Sequence, residues 1–292
     1  MSKQHWSDLF LNAALGDEPR PHYRPDGFGE APPPWARRAE VTECPVSDDD
    51  RHQVERWLRW CLAEFGPPAR RVVAPPIPGF YPVGYHGGIE QVEELVRRVG
   101  KVMSVEAPDL EVRYFESDPT VPGNWGRHST TVGTYHREDG HPVISLDVRS
   151  SADPAELTAI IAHELAHVRL RGEDRLTRDE PDEEKLTDFL TVYLGMGIFT
   201  ANAAHTFAKT VRGWSALPMG DLTEKMLAGS FLGTTHRLGY LDERQFGYAL
   251  ACWAHLRGES APAWARRLTP TIRVQLQRGL SYLQHTGRRL DR

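Results

Sequence analysis

The segment from Asp153 to Val168, DPAELTAIIAHELAHV, limits what this chain can fold into more than any other. Asp153 can cap a helix, Pro154 suits its first position, and Glu156 three residues on completes a capping box. Leu157, Ile160, Ile161, Leu165 and Val168 then recur as a buried stripe. The residues around the polar ones (Ile160, Ile161, Ala162, Leu165, Ala166, Val168) carry no charge, as a buried site requires. A surface helix would show solvated neighbours there instead.

The rest of the chain supplies the material to bury it. At 292 residues, 40% hydrophobic and 26% charged, the composition is that of a globular protein of one large domain or two small ones. A net charge of −5 argues against nucleic acid or an anionic membrane as the main partner. Met1 to Asp8 lacks the apolar core of a signal peptide, and no run is long and apolar enough to span a bilayer. Cys44, Cys61 and Cys252 are far apart with no Cys-x-x-Cys pair, which predicts neither a disulfide scaffold nor a cysteine-built zinc site. The expectation is a reduced, cytoplasmic protein.

Asp8 to Leu15 reads as a short helix, inside a proline-rich arm over 1–46 centred on Pro32-Pro33-Pro34. Ser47 and three aspartates then open a helix carrying Val54, Trp57, Leu58, Cys61, Leu62 and Phe65, which Gly66-Pro67 ends. A proline-rich connector over 67–82 leads to a second amphipathic helix from Gly88 to Met103. Strands follow at Leu110–Phe115, Val132–Arg137 and His141–Asp147, the last two joined as a hairpin at Glu138-Asp139-Gly140. Beyond Ser150 the pattern is helical, with breaks near Gly172, Gly213 to Gly220, Gly239 and Pro262. Strands first and helices afterwards predict an α+β fold. A small, mainly antiparallel sheet should lie over the 153–168 helix, within a unit over 47–292. Its sheet and helix would occupy about 105–200, and a helical lobe about 201–292.

His163 and His167 lie four apart, one turn along one helix face, so their imidazoles can converge on one Zn²⁺. Glu164 is rotated by about a hundred degrees and flanks that ion, where it can act as general base toward an activated water. A catalytic zinc needs a third protein ligand. Glu184 and Asp188 again sit four apart, on a helix read as continuing through Gly195 and Gly197. Glu184 can be the third ligand, and Asp188 can accept a hydrogen bond from the outer nitrogen of a ligating histidine. The two glycines suggest close approach of another helix.

HELAH followed by Glu-x-x-x-Asp on a second helix resembles the gluzincin branch of zincin metallopeptidases. The resemblance covers about residues 110–200. It implies His163, His167 and Glu184 as ligands of one zinc per chain, Glu164 as base and Asp188 as orienter. It also implies that the strand carrying Gly133, Thr134 and Tyr135 is the sheet edge above the zinc cleft. An extended peptide could join that edge, with Gly133 leaving it room and Thr134 or Tyr135 lining a pocket. A metzincin-like alternative would use Glu173 as third ligand, but the glycine that pattern needs at 170 is Leu170.

A donor toward the oxyanion is sought among His236, Tyr240, His205 and Tyr193. Tyr85–Gly88 and Gly123–Gly126 read as turns or a cleft rim. Phe246, Ala249, Leu250, Trp253 and Leu256 read as core, and the arginine-rich C-terminus as a solvated face. The function expected is hydrolysis of a peptide or related amide bond. Its alternatives are a non-peptidase zinc hydrolase or biosynthetic enzyme, and a non-catalytic zinc-binding regulatory protein.

Overall fold

The computed structural model describes residues 43–68, 71–105, 107, 109–116, 133–176, 182–211 and 241–290, and only the backbone of 205–211. His236, Tyr240, the 123–126 loop, most of the N-terminal arm and the side chain of His205 lie outside the described residues. The fold is α+β. Its elements are α1 (Asp48–Phe65), α2 (Ile89–Met103), β1 (Glu111–Phe115), β2 (Gly133–Glu138), β3 (His141–Asp147), α3 (Pro154–His167), α4 (Glu183–Tyr193), α5 (Gly197–Val211), α6 (Glu243–Leu256) and α7 (Pro270–Thr286).

The helix and turn signals read from sequence act where expected, except that Glu156 does not close a capping box, because the Asp153 N–H is taken by the Ser150 carbonyl. Ser47 Oγ accepts the Asp50 N–H at 3.2 Å to start α1, and Gly66 at φ 71° ends it. Asp153 accepts from Ala155 N and Glu156 N at the head of α3, while its own N–H donates to the Ser150 carbonyl. The hairpin turns on Asp139 and Gly140, both at positive φ (50° and 88°), and this geometry matches the natural strand twist.

The sheet corrects one expectation. Its order is β1-β3-β2, antiparallel between β2 and β3 but parallel between β1 and β3, so it is mixed rather than mainly antiparallel. A hairpin turn specifies its own pairing; nothing local specifies how β1 meets β3. Both outer strands, β1 and β2, are paired on one side only among the described residues.

Helix α3 lies against β2 and β3 and is covered by α2, α4 and α5. Hence Leu157 to Ala162 and Glu164 to His167 are all buried. Each large apolar side chain in that stretch contributes about 1.5–3 kcal/mol by leaving water. On the opposite face of the sheet Arg113 pairs with the exposed Glu111 and Glu138, while Val143 and Asp147 of the central strand are buried. Helices α6 and α7 pack along one another, and α6 reaches α1, α4 and α5.

The helix carrying Glu184 does not run on through Gly195. It ends at Tyr193, and α5 begins afresh at Gly197. Gly195 stands at φ 96°, and a Cβ there would overlap the Val72 carbonyl oxygen. The close neighbour of Gly195 is thus the proline-rich connector, which also hydrogen bonds to it from Ala74 N at 2.9 Å. Gly197 does meet another helix, at Leu250 of α6.

Candidate metal centre

Helices α3 and α4 bring one face each to a common point. The ligand atoms of His163, His167 and Glu184 all lie within 4.8 Å of one another, a group of the size one ion spans. Nε2 of His163 is 3.2 Å and Nε2 of His167 is 3.4 Å from the same Glu184 oxygen, Oε2. The rings stand edge to face, 4.9 Å between centroids and 82° between planes. Two borderline nitrogen donors and one carboxylate oxygen are a donor set that suits zinc.

The outer nitrogens are held as well. His163 Nδ1 faces Asp188 Oδ1 at 2.9 Å, with the Asp188 side chain almost wholly buried. The other oxygen of Asp188 accepts the backbone N–H of Leu241 at 2.9 Å. On the second histidine, Nδ1 lies 3.5 Å from Thr187 Oγ1 and 3.6 Å from Glu183 Oε1. Glu183 is buried and receives two nitrogens of Arg171, from the π-helical turn at Val168–Gly172. Glu183 and Glu184 are adjacent in sequence, yet Glu183 faces the back of His167 and Glu184 its front. Sequence alone assigns no role to Glu183, Thr187, Arg171 or Leu241. Their one sequence signal was the helical spacing of Glu183 and Thr187, one turn apart.

Charge follows this geometry. Burial alone lowers the His163 imidazole, but hydrogen bonds to Asp188 and Glu184 and the charges of Asp188 and Glu164 outweigh it and lift its pKa to about 10. Burial pulls the Glu184 carboxyl upward, but both histidines overcome it and hold the group well below the usual carboxylate range. Glu164, only 5% exposed, is pushed up by desolvation, against the pull of His163 and His167.

The remaining candidates are distributed as follows. Glu173 is turned to Arg169 (2.6 Å) and Arg175 (2.7 Å) and does not belong to the candidate group of His163, His167 and Glu184. Tyr193 donates to the Gly66 carbonyl at 2.6 Å, so its hydroxyl is engaged at the end of α1. Thr134 is exposed on β2. The Tyr135 ring stacks on His167, 6.1 Å away and 11° from parallel, and its buried hydroxyl has no hydrogen-bond partner among the described residues. The space beside Gly133 is filled by Glu164: a Cβ on Gly133 would lie 2.7 Å from Glu164 Oε1. Comparison with protein-family models, with curated proteins and with solved structures gives no match to this chain.

Proposed function

We propose that this protein is a zinc-dependent hydrolase of peptide or related amide bonds, with His163, His167 and Glu184 as ligands and Glu164 as general base. The observation that carries the reading is the convergence of both Nε2 atoms on one oxygen of Glu184, with Glu164 buried alongside. Zinc held there would supply Lewis-acid polarisation of a carbonyl and a water acidified toward neutral pH.

The protein's own groups do the rest. Glu164 takes a proton on its carboxylate and returns it to the departing amine. Its desolvation suits that task, because a raised carboxyl pKa makes a stronger base. Asp188 holds the His163 ring through Nδ1, which leaves Nε2 facing the ligand group. Among the described residues β2 pairs on one side only, and its outer side would offer backbone donors and acceptors to an extended substrate, which favours a peptide or protein. A purely structural zinc would have no use for a buried glutamate at position 164.

The deciding experiment combines zinc analysis of wild type and Glu164→Gln with a peptide-library cleavage assay. About one zinc per chain is expected in both, with cleavage reduced by about 10²–10⁴ in the variant. A wild-type protein that takes up no zinc overturns the reading. A zinc-loaded protein that cleaves no peptide shifts it to a non-peptide substrate or to a regulatory role.

A further inference from the structure

Glu164 reaches its place through a gap in another element. It projects from α3 toward the first residue of β2, and what it meets there is Gly133. A Cβ built on Gly133 would lie 2.7 Å from Glu164 Oε1, 3.1 Å from Glu164 Cγ and 2.7 Å from Ile160 Cγ2. Contacts this short cannot persist, so one neighbour must move. Ile160 is 1% exposed in the core, and its β-branched side chain has one favoured rotamer in a helix. The Glu164 carboxylate, the far end of a flexible side chain, is the part that yields.

We propose that Gly133 is a positioning residue: its missing side chain is the seat that fixes the Glu164 carboxylate beside His163 and His167. This rests on the metal reading above and adds to it a residue from the sheet. A free glutamate samples many rotamers, and packing between Ile160 and the Gly133 backbone removes that freedom before any substrate arrives. The three atoms nearest a Cβ on Gly133 belong to Glu164 and Ile160 and to no residue of the candidate metal group, so the proposed effect runs through Glu164. Misplacing a catalytic group by about 1 Å costs on the order of a hundredfold in rate.

The test uses Co²⁺ as a visible reporter and acetohydroxamate as a ligand whose hydroxyl proton needs an adjacent base. Wild type, Gly133→Ala, Glu164→Gln and the double variant are titrated with each. Gly133→Ala is expected to bind Co²⁺ within about threefold of wild type yet lose about tenfold or more in acetohydroxamate affinity. The double variant is expected to be no weaker than Glu164→Gln alone, because both changes disable one group. Wild-type acetohydroxamate affinity in Gly133→Ala, or additive losses in the double variant, overturns the inference while leaving the metal reading intact. A wild type that takes up no Co²⁺ overturns both. Should Gly133→Ala not fold, the Gly133→Ala, Ile160→Ala pair frees the core side and is compared with Ile160→Ala alone, under the same expectations.

Discussion

Glu55 and Asp188 are both buried carboxylates set between helices, at 3% and 1% exposure, but their partners differ in kind. Glu55 on α1 receives the Tyr248 hydroxyl at 2.9 Å and Arg288 at 3.0 Å, with Arg51 at 3.7 Å. Asp188 on α4 receives His163 Nδ1 and the Leu241 N–H, both at 2.9 Å. A guanidinium keeps its charge at any working pH and has nothing to exchange. An imidazole held at one nitrogen keeps the other for a proton or a metal. The first knot therefore fastens α1, α6 and the chain after α7 together, whereas the second holds a ring in readiness. Asp188 does both jobs, since its second oxygen fastens the chain just before α6.

The sharpest way to break this contrast is to remove the proposed ligands themselves. His163→Ala or His167→Ala is expected to lower zinc from about one per chain to none, whereas Glu55→Ala keeps it, as metal analysis after dialysis would read. Zinc retained by both histidine variants would put the metal elsewhere.

Stability should respond in the opposite sense. Glu55→Ala leaves the buried Tyr248 hydroxyl without its acceptor and Arg51 with Asp48 as its only carboxylate, which is expected to cost about 1–3 kcal/mol in urea unfolding. Arg288→Ala is expected to cost no more than about 1 kcal/mol, because its side chain is one-third exposed (34%) and screened by solvent. Equal losses in the two variants would mean that the Glu55 knot is not the fastening it is taken for.

Asp188→Asn tests the shared role. Zinc affinity is expected to fall about 10–100-fold, as it does when a ligand's outer partner is changed. Amide exchange at the start of α6 should quicken in the same variant, because Leu241 N–H loses a charged acceptor. Glu173→Ala, whose partners are Arg169 and Arg175, is expected to leave zinc affinity unchanged. An affinity loss from Glu173→Ala larger than that from Asp188→Asn would reverse the ligand assignment.

The smallest effect concerns the thiols of α1 and α6. Burial pushes Cys61 and Cys252 well above the ordinary thiol pKa, so both stay protonated as pH rises from 7 to 9. Reaction with a thiol reagent is expected at half-buried Cys44 first, and at the other two only after unfolding. Rapid labelling of Cys252 in the native protein would show that the packing around Glu55 opens readily.

What could be read in the sequence was local. The Asp153 cap, the Asp139-Gly140 turn and the four-residue spacings of His163 with His167 and of Glu184 with Asp188 each depend on residues within one turn of helix or hairpin. Backbone geometry alone then fixes which side chains share a face, so the two halves of the candidate metal group are legible in the sequence. Tertiary structure decided which halves meet and what surrounds them. Gly133 against Glu164, Leu241 against Asp188 and Arg288 against Glu55 join residues far apart in the chain. The break at Gly195 was misread because the Val72 carbonyl that crowds it arrives from another part of the chain. The parallel pairing of β1 with β3 was missed for a like reason, since no turn between them imposes a direction. Periodicity records the face a residue occupies; which distant backbone fills the space in front of that face depends on how the whole chain packs.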